Sequence, residues 1–186
     1  MTTIWIRAET KANEERAPIS AQDAARLIAA GFHLVVEESA QRAIPLKAYQ
    51  FAGCEIAAEG AWREAPSDAF IIAVKEMPSG DDFPLTHRHI HFGHMFKDQP
   101  CWREGLARFA SGGGALYDLE NLTDTNGRRV AAFGYWAGFA GAALALKLWA
   151  GQLDGKMPPM GPLHAYANKA AMFSEIESLM KDRTPS

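Results

Sequence analysis

Short hydrophobic runs of strand length alternate along this chain with stretches whose apolar residues recur at helical spacing. Length and β-branched content predict buried strands at 2–6, 33–37 and 70–74. After the first run, Ser20 and Asp23 form a capping-box pattern, and apolar residues follow on one face until Gly31, which predicts a helix over 20–30. A strand, helix, strand order implies a parallel pair with a right-handed crossover.

The same alternation predicts five more elements. They are a helix over 44–52, a strand over 54–57, an extended segment over 86–96, a helix from Asp98 to the glycines 112–114, and a strand over 115–117. In the second of these helices Pro100 suits the first turn, and Trp102, Leu106 and Phe109 are spaced to bury one face. The pattern therefore predicts an α/β fold with a mostly parallel sheet flanked by helices.

The C-terminal part has a different pattern. A long, tightly packed helix is predicted over 131–150, where small residues at Gly134, Gly138 and Gly141 would let another helix approach closely. Their spacing is not that of a dinucleotide-binding loop. We therefore divide the chain into an α/β domain over 1–130, the long helix over 131–150, and an appendage over 151–186. The appendage consists of a Pro-rich linker and a last helix capped by Asn168.

Composition narrows the possible partners. A net charge of −3 without a lysine or arginine cluster argues against a nucleic-acid footprint. The run 130–146 is short and rich in Ala and Gly, and the N-terminus lacks a basic region followed by an apolar run, so neither a membrane span nor a secretion signal is expected. Cys54 and Cys101, each expected to be a buried small hydrophobe, suggest a reducing, cytoplasmic setting. Small molecules remain as partners, together with self-association through the helix 131–150.

Candidate chemistry concentrates between 71 and 102, which holds four of the six histidines. Lys75 follows one apolar run, and His94 lies near the end of the next extended segment. Polar side chains at strand ends are where α/β enzymes usually place their chemistry. An amine and an imidazole brought together there can exchange protons near neutral pH.

The other histidines of this segment suggest a metal site as an alternative. Period-two spacing puts His87, His89 and His91 on one face, where three imidazoles could hold zinc or copper. No cysteine or carboxylate stands among them to complete a familiar ligand set. We therefore expect exposed or hydrogen-bonded histidines and no metal.

Charged residues in two loops are further candidates. Glu14 and Arg16, two apart in a polar loop, could present a carboxylate and a guanidinium to a polar substrate, or could be solvated. Asp118 and Glu120 follow a predicted strand. They are surface residues, or they hold a cationic substrate, or they act on Lys75 through charge.

Four segments resemble, in the same order, the N-terminal part of NAD-dependent saccharopine dehydrogenases of the L-lysine-forming type, relatives of alanine dehydrogenase. They are RAETKANEERAPIS at 7–20, IIAVKEMP at 71–78, HRHIHFGHMFKDQPCW at 87–102 and LYDLENLTDTNGRRVAAFGYWAGFAGAALAL at 116–146. The resemblance implies a Rossmann-like substrate domain without the nucleotide fingerprint. It also implies oxidative deamination of saccharopine to lysine and 2-oxoglutarate, with NAD accepting the hydride.

The resemblance also assigns residues. Lys75 is similar to the family's general base for the secondary amine, a role that requires the neutral amine, and His94 to its acid-base group for imine hydration and breakdown. The family's charged substrate positions correspond to Glu14, Arg16, Glu76, Glu120 and Arg129. Family members continue into an NAD-binding domain that we expect to be absent here. We therefore expect a substrate domain inactive alone, with a non-enzymatic amino-acid-binding or protein-interaction domain as the alternative.

Overall fold

A computed structural model describes residues 1–77, 80–93, 95, 101–181 and 183. Within these ranges, six strands form an all-parallel sheet in the order β3-β2-β1-β4-β5-β6. The strands are β1 Thr3–Ile6, β2 His33–Glu37, β3 Glu55–Ala57, β4 Phe70–Lys75, β5 Arg88–Phe92 and β6 Ala115–Asp118. The predicted α/β fold with a parallel sheet is confirmed. This order reverses direction between β1 and β4, so the sheet has a topological switch point there.

The helices of the first unit are α1 Ala21–Ala29, α2 Leu46–Phe51 and α3 Trp102–Gly112. The predicted helix cap at Ser20 is confirmed: the Ser20 hydroxyl accepts from the Asp23 amide at 3.1 Å and donates to the Asp23 carboxylate at 2.7 Å. Helix α2 begins two residues later than predicted. Ile44 precedes Pro45, and a proline disfavours the helical conformation of the residue before it.

The prediction that α3 begins from an Asp98 cap is wrong. The helix begins at Trp102, and Cys101 before it has a left-handed φ of 63°, which cannot continue a right-handed helix. Asp98 and Pro100 themselves lie outside the described residues. Cys101 is exposed rather than buried, while Cys54 is buried as predicted. Phe109 is buried, but Leu106 is 40% exposed, so the predicted apolar face of α3 is only partly covered.

The sheet is buried on both faces, as parallel sheets usually are. Alternate residues of β2 show this: Val35 belongs to a cluster with Trp5 and Ile71, whereas Leu34 and Val36 belong to a cluster on the other face. The hydrophobic runs without polar interruption follow from this double burial. As a result, the polar side chains of β1, β2 and β4 stand at the strand ends, whereas β5 also carries histidines in its interior.

The chain divides into two compact units, Met1–Ala131 and Ala132–Ser186. The second contains α4 Gly134–Leu153 and α5 Lys169–Met180, with the predicted Asn168 cap accepting from the Ala171 amide at 2.9 Å. None of the helices in the described ranges combines the length and apolarity needed to cross a membrane.

The prediction that the long helix is tightly packed and buried is wrong for most of its length. Tyr135 and Trp136 are 66% and 52% exposed. A Cβ added at Gly134, Gly138 or Gly141 would meet nothing within 4 Å in the described part of the chain. The reason is that α5 contacts only part of α4, for example through the rings of Phe139 and Phe173 at 5.2 Å.

Candidate active site

Lys75 is the last residue of β4, beside the switch point of the sheet. Its Cα partner on β5 is Phe92, the last residue of that strand. His94 follows Phe92 by two residues and lies outside the described residues. The ends of β4 and β5 nevertheless meet, since Glu76 and Gly93 line the same cavity of about 1040 Å³. Carboxyl ends of strands at a switch point are the usual ligand site of an open α/β sheet.

Glu14 and Arg16 bind each other. The Nε of Arg16 donates to the Glu14 carboxylate at 2.7 Å, and Nη2 donates to its second oxygen, so the contact is bidentate. Burial alone would raise the pKa of Glu14, but the side-chain and backbone hydrogen bonds from Arg16 outweigh it and lower that pKa. The positive charge of Lys75 lowers it further, so Lys75 acts on this pair electrostatically. The loop and the end of β4 therefore belong to one charged region.

Glu76 pairs with Lys11, which was not among the candidate residues. Lys11 Nζ lies 3.2 Å from the Glu76 carboxylate. Burial alone would raise the pKa of Glu76. A hydrogen bond from its own backbone amide and the charges of Lys11 and Lys75 more than compensate, so that pKa is lowered. Lys11 and Glu76 both line the large cavity.

Glu120 and Arg129 form a third pair, with Nη2 of Arg129 donating to the Glu120 carboxylate at 2.9 Å. Asp118 connects this pair to the neighbouring strand. Its Oδ1 accepts from the Glu120 amide at 2.9 Å and from the Gly93 amide at 3.1 Å. The predicted position of Asp118 and Glu120 at the end of a strand is confirmed, and their backbone is tied to the residue that precedes His94.

His87, His89 and His91 share one face of the segment, as the spacing predicted. Of the two expected states, exposed or hydrogen-bonded, they are not exposed. Their exposed fractions are 4%, 1% and 1%. His87 Nε2 lies 3.0 Å from the Ala65 carbonyl, while the His89 ring packs edge-on against Trp62. Burial, followed by the neighbouring imidazoles and more distant arginines, lowers the pKa of His89 to about 3. Among the described residues, no cluster of three or more His, Cys, Asp or Glu side chains is arranged to hold a metal ion.

The sequence did not indicate a role for three buried charged residues near β1: Arg7, Glu9 and Glu37. All three are at most 6% exposed. Glu37 accepts from the indole of Trp5 at 3.1 Å and from the Ala8 amide at 2.8 Å. The available signal was their position directly at the end of a buried strand, where a charge is solvated only if the fold provides partners.

The described residues do not form a dinucleotide-binding turn. Such turns place closely spaced glycines between the first strand and its helix. Here the connection 7–20 between β1 and α1 contains no glycine. Gly134 is the first residue of α4, and Gly138 and Gly141 lie inside that helix. The sheet has the strand order of a dinucleotide-binding fold without its phosphate-binding loop.

Fold and site together define an α/β domain that presents a lysine and three acid-base pairs at the carboxyl edge of a parallel sheet. The family model of the alanine dehydrogenase/PNT N-terminal domain matches residues 5–140. The chain belongs to this family.

The chain also matches individual curated proteins over most of its length. The chain is 53% identical over 173 residues to saccharopine dehydrogenase (NAD(+), L-lysine-forming) of Schizosaccharomyces pombe, covering 93% of this chain and 47% of that protein. It is 46% identical over 184 residues to the enzyme of the same name from Candida glabrata, covering 97% and 49%. The chain thus spans about half the length of these curated relatives.

Among solved structures, an L-alanine dehydrogenase superposes with a TM-score of 0.54 at 16% identity, covering 81% of this chain and 38% of that one. At this identity the likeness concerns the fold alone. It agrees with the parallel sheet order and with the family match.

Proposed function

We propose that this chain is the substrate-binding, proton-transferring part of a saccharopine dehydrogenase that cleaves saccharopine to lysine and 2-oxoglutarate with NAD. The observation that carries the proposal is the position of Lys75 at the end of β4, beside the switch point and within electrostatic reach of Glu14 and Glu76. Relatives that carry this activity in their names are about 50% identical, at 53% and 46%.

The charges of the region suit this substrate. Saccharopine combines several carboxylates with a primary and a secondary amine. Arg16 and Arg129 offer planar forks for carboxylates, and Glu14, Glu76 and Glu120 offer oxygens for ammonium groups. Each acid in this region is paired with a base. A zwitterionic ligand can therefore bind its carboxylate to the base and its ammonium group to the acid of such a pair, so that no charge is left without a partner.

Lys75 is proposed as the general base. It would take a proton from the secondary amine onto Nζ, which prepares that nitrogen to form the imine as the neighbouring carbon is oxidised. His94 is proposed to move protons during hydration of the imine and release of lysine, on the ground of its position two residues beyond Phe92. We also propose a cytoplasmic location, supported by the two free cysteines.

NAD supplies the hydride acceptor when bound. The described residues of this chain do not fit its phosphates, so the proposal assigns that binding to sequence beyond them. The expectation of a chain inactive alone as a dehydrogenase follows from the same reasoning.

The test joins this full chain to the C-terminal half of the Schizosaccharomyces pombe relative and follows NADH formation from saccharopine. The hybrid should turn over, and Lys75→Met should lower kcat by about a hundredfold or more, the usual contribution of a general base. Lys47→Met, on the exposed side of α2, is the matched control and should leave the rate unchanged. A folded hybrid without turnover, or an unaltered rate in Lys75→Met, would refute the proposal.

Calorimetry on the chain itself separates chemistry from binding. Saccharopine should bind, and a hybrid that binds without turnover would leave the non-enzymatic amino-acid-binding domain as the surviving function.

A further inference from the structure

We propose that Arg7 and Glu9 are positioning residues that fix the backbone of Lys75 and thereby the direction of its amine. The inference rests on the proposed function of Lys75 as a base. Arg7 and Glu9 lie in the segment that follows β1, whereas Lys75 ends β4. Neither residue was a candidate on sequence grounds.

Glu9 holds the amide side of the peptide. Its two carboxylate oxygens accept from the Val74 amide at 2.6 Å and from the Lys75 amide at 3.2 Å. Such charge-assisted bonds to backbone amides are among the stronger hydrogen bonds in proteins. The carboxylate therefore fixes two consecutive peptide planes at the end of β4.

Arg7 holds the carbonyl side. Its Nη2 donates to the Lys75 carbonyl at 2.9 Å and lies 3.5 Å from the Glu76 carbonyl. The backbone amide of Arg7 also donates to the Ile72 carbonyl at 3.0 Å, as the last rung between β1 and β4. Lys75 is thus held at its amide by one side chain and at its carbonyl by the other.

The strand needs this support because its pairing is irregular at this point. Between Ile72 and Lys75 the register to β5 shifts: Ile72 pairs with Ile90, but Lys75 pairs with Phe92, so β4 contains one extra residue. An extra residue interrupts the ladder and changes which face the following side chain takes. Glu9 accepts from amides within this bulge, where buried backbone donors must find partners.

Arg7 and Glu9 bind the backbone of β4 more closely than they bind each other. Their closest nitrogen and oxygen atoms are 3.9 Å apart, longer than any of the bonds from Glu9 or from Nη2 of Arg7 to the β4 amides and the Lys75 carbonyl. Arg7 and Glu9 are 2% and 6% exposed, and buried charges are an expensive way to stabilise a fold. What the pair provides instead is one defined geometry for the bulge.

The first experiment uses the 186-residue chain and needs no turnover. Amide hydrogen exchange is measured at Val74 and Lys75, and Nζ labelling of Lys75 by an amine reagent is compared with that of Lys47 in the same molecule. Glu9→Gln should speed exchange at the two amides by about ten- to a hundredfold, the loss of one to two strong hydrogen bonds. Glu9→Gln and Arg7→Met should each raise the labelling of Lys75 severalfold while Lys47 keeps its rate.

The control is Tyr49→Phe, which removes a buried hydrogen bond of 2.6 Å to the Ile19 carbonyl and leaves β4 untouched. It should lower the thermal stability but leave the exchange and the labelling of Lys75 as in the wild type. Unchanged labelling of Lys75 in both Glu9→Gln and Arg7→Met would overturn the positioning role.

The hybrid enzyme supplies the second readout. There, Glu9→Gln should lower kcat more than about tenfold with KM within about twofold, because the base is misdirected while the substrate contacts remain. If the wild-type hybrid does not turn over, the proposed function fails, and exchange and labelling still decide whether Arg7 and Glu9 hold Lys75. If kcat and KM are both unchanged in Glu9→Gln, positioning is refuted although the function stands.

Discussion

The carboxylate of Glu14 and the guanidinium of Arg16 bind each other edge to edge, with Nε and Nη2 of Arg16 donating to the two oxygens of Glu14. The side chain of Arg16 is 46% exposed, whereas that of Glu14 is 7% exposed. The acid thus orients a guanidinium that reaches solvent, as a site for a carboxylate requires.

Replacing Arg16 by Ala should therefore weaken saccharopine binding to the chain about ten- to a hundredfold, the value of a charge-assisted hydrogen bond. Isothermal titration measures the affinity. Arg26→Ala is the control, since Arg26 also pairs with an acid, Asp23 at 2.8 Å, but on the surface of α1. Equal affinities of wild type and Arg16→Ala would contradict the assignment.

Arg129→Gln should reduce saccharopine affinity without a large change in stability. Its pair with Glu120 is 44% exposed on the arginine side, and exposed ion pairs contribute about 0–1 kcal/mol. The neighbouring Arg128→Gln provides the comparison, because Arg128 is exposed and pairs through its backbone amide with Asp124. Titration and a thermal melt of both variants suffice. A loss of affinity as large in Arg128→Gln would argue for general electrostatics instead of a pocket.

Acid should destabilise the first unit through His89. The pKa of its imidazole falls from 6.5 to about 3 on folding, chiefly through burial. The unfolded chain therefore binds the extra proton first. The stability that the neutral ring contributes is complete above the unfolded pKa of 6.5 and is lost as pH falls towards 3. By linkage, unfolding should become easier by about 2 kcal/mol between pH 6.5 and 5.

The variant His89→Phe keeps an aromatic ring between Trp62 and Phe109, whose ring centroids both lie 5.3 Å from that of His89. Urea unfolding across this pH range should show a shallower pH dependence for the variant than for the wild type. His33→Gln, at a partly exposed histidine, retains His89 and should retain the wild-type slope. Identical slopes for His89→Phe and the wild type would mean that another group dominates the acid response.

Two glycine substitutions should have opposite effects. A Cβ at Gly114 would lie 2.4 Å from the Leu85 carbonyl oxygen and 2.7 Å from that of His87, so Gly114→Ala should cost about 1–3 kcal/mol or more. At Gly141, inside α4, a Cβ meets nothing within 4 Å of the described chain, and Gly141→Ala should stabilise the helix by about 1 kcal/mol. Thermal melts of both test this. A destabilised Gly141→Ala would indicate a close neighbour at that helix face.

Much of the fold was predictable because its signals are local. The strand and helix order followed from apolar runs and from the Ser20 and Asn168 caps, each of which depends on a few adjacent residues. The start of α3 was mispredicted because Asp98 and Pro100 form a plausible cap in the sequence, whereas a left-handed backbone at a non-glycine residue such as Cys101 has no signal in the local sequence. The exposure of α4 was missed for a related reason: apolar composition predicts burial but does not specify the surface that provides it.

The candidate site divides in the same way. Lys75 was predictable as the polar residue that ends an apolar run, and its position at the end of β4 is confirmed. The catalytic role of Lys75 and the roles of Glu14, Arg16, Glu76, Glu120 and Arg129 remain predictions. Arg7 and Glu9 were not predictable, since their partners lie 65 or more residues away along the chain.

By itself, then, the sequence determined an α/β domain with a parallel sheet and a lysine at a strand end, because hydrophobic period and turn residues act over short distances. Only the tertiary structure decided which charges meet: Glu14 with Arg16, Glu76 with Lys11, and Glu9 with the backbone of Lys75. The strand order places the ends of β1 and β4 side by side. A buried charge at this position forms hydrogen bonds with the groups that packing brings within reach, however far apart they are in the sequence.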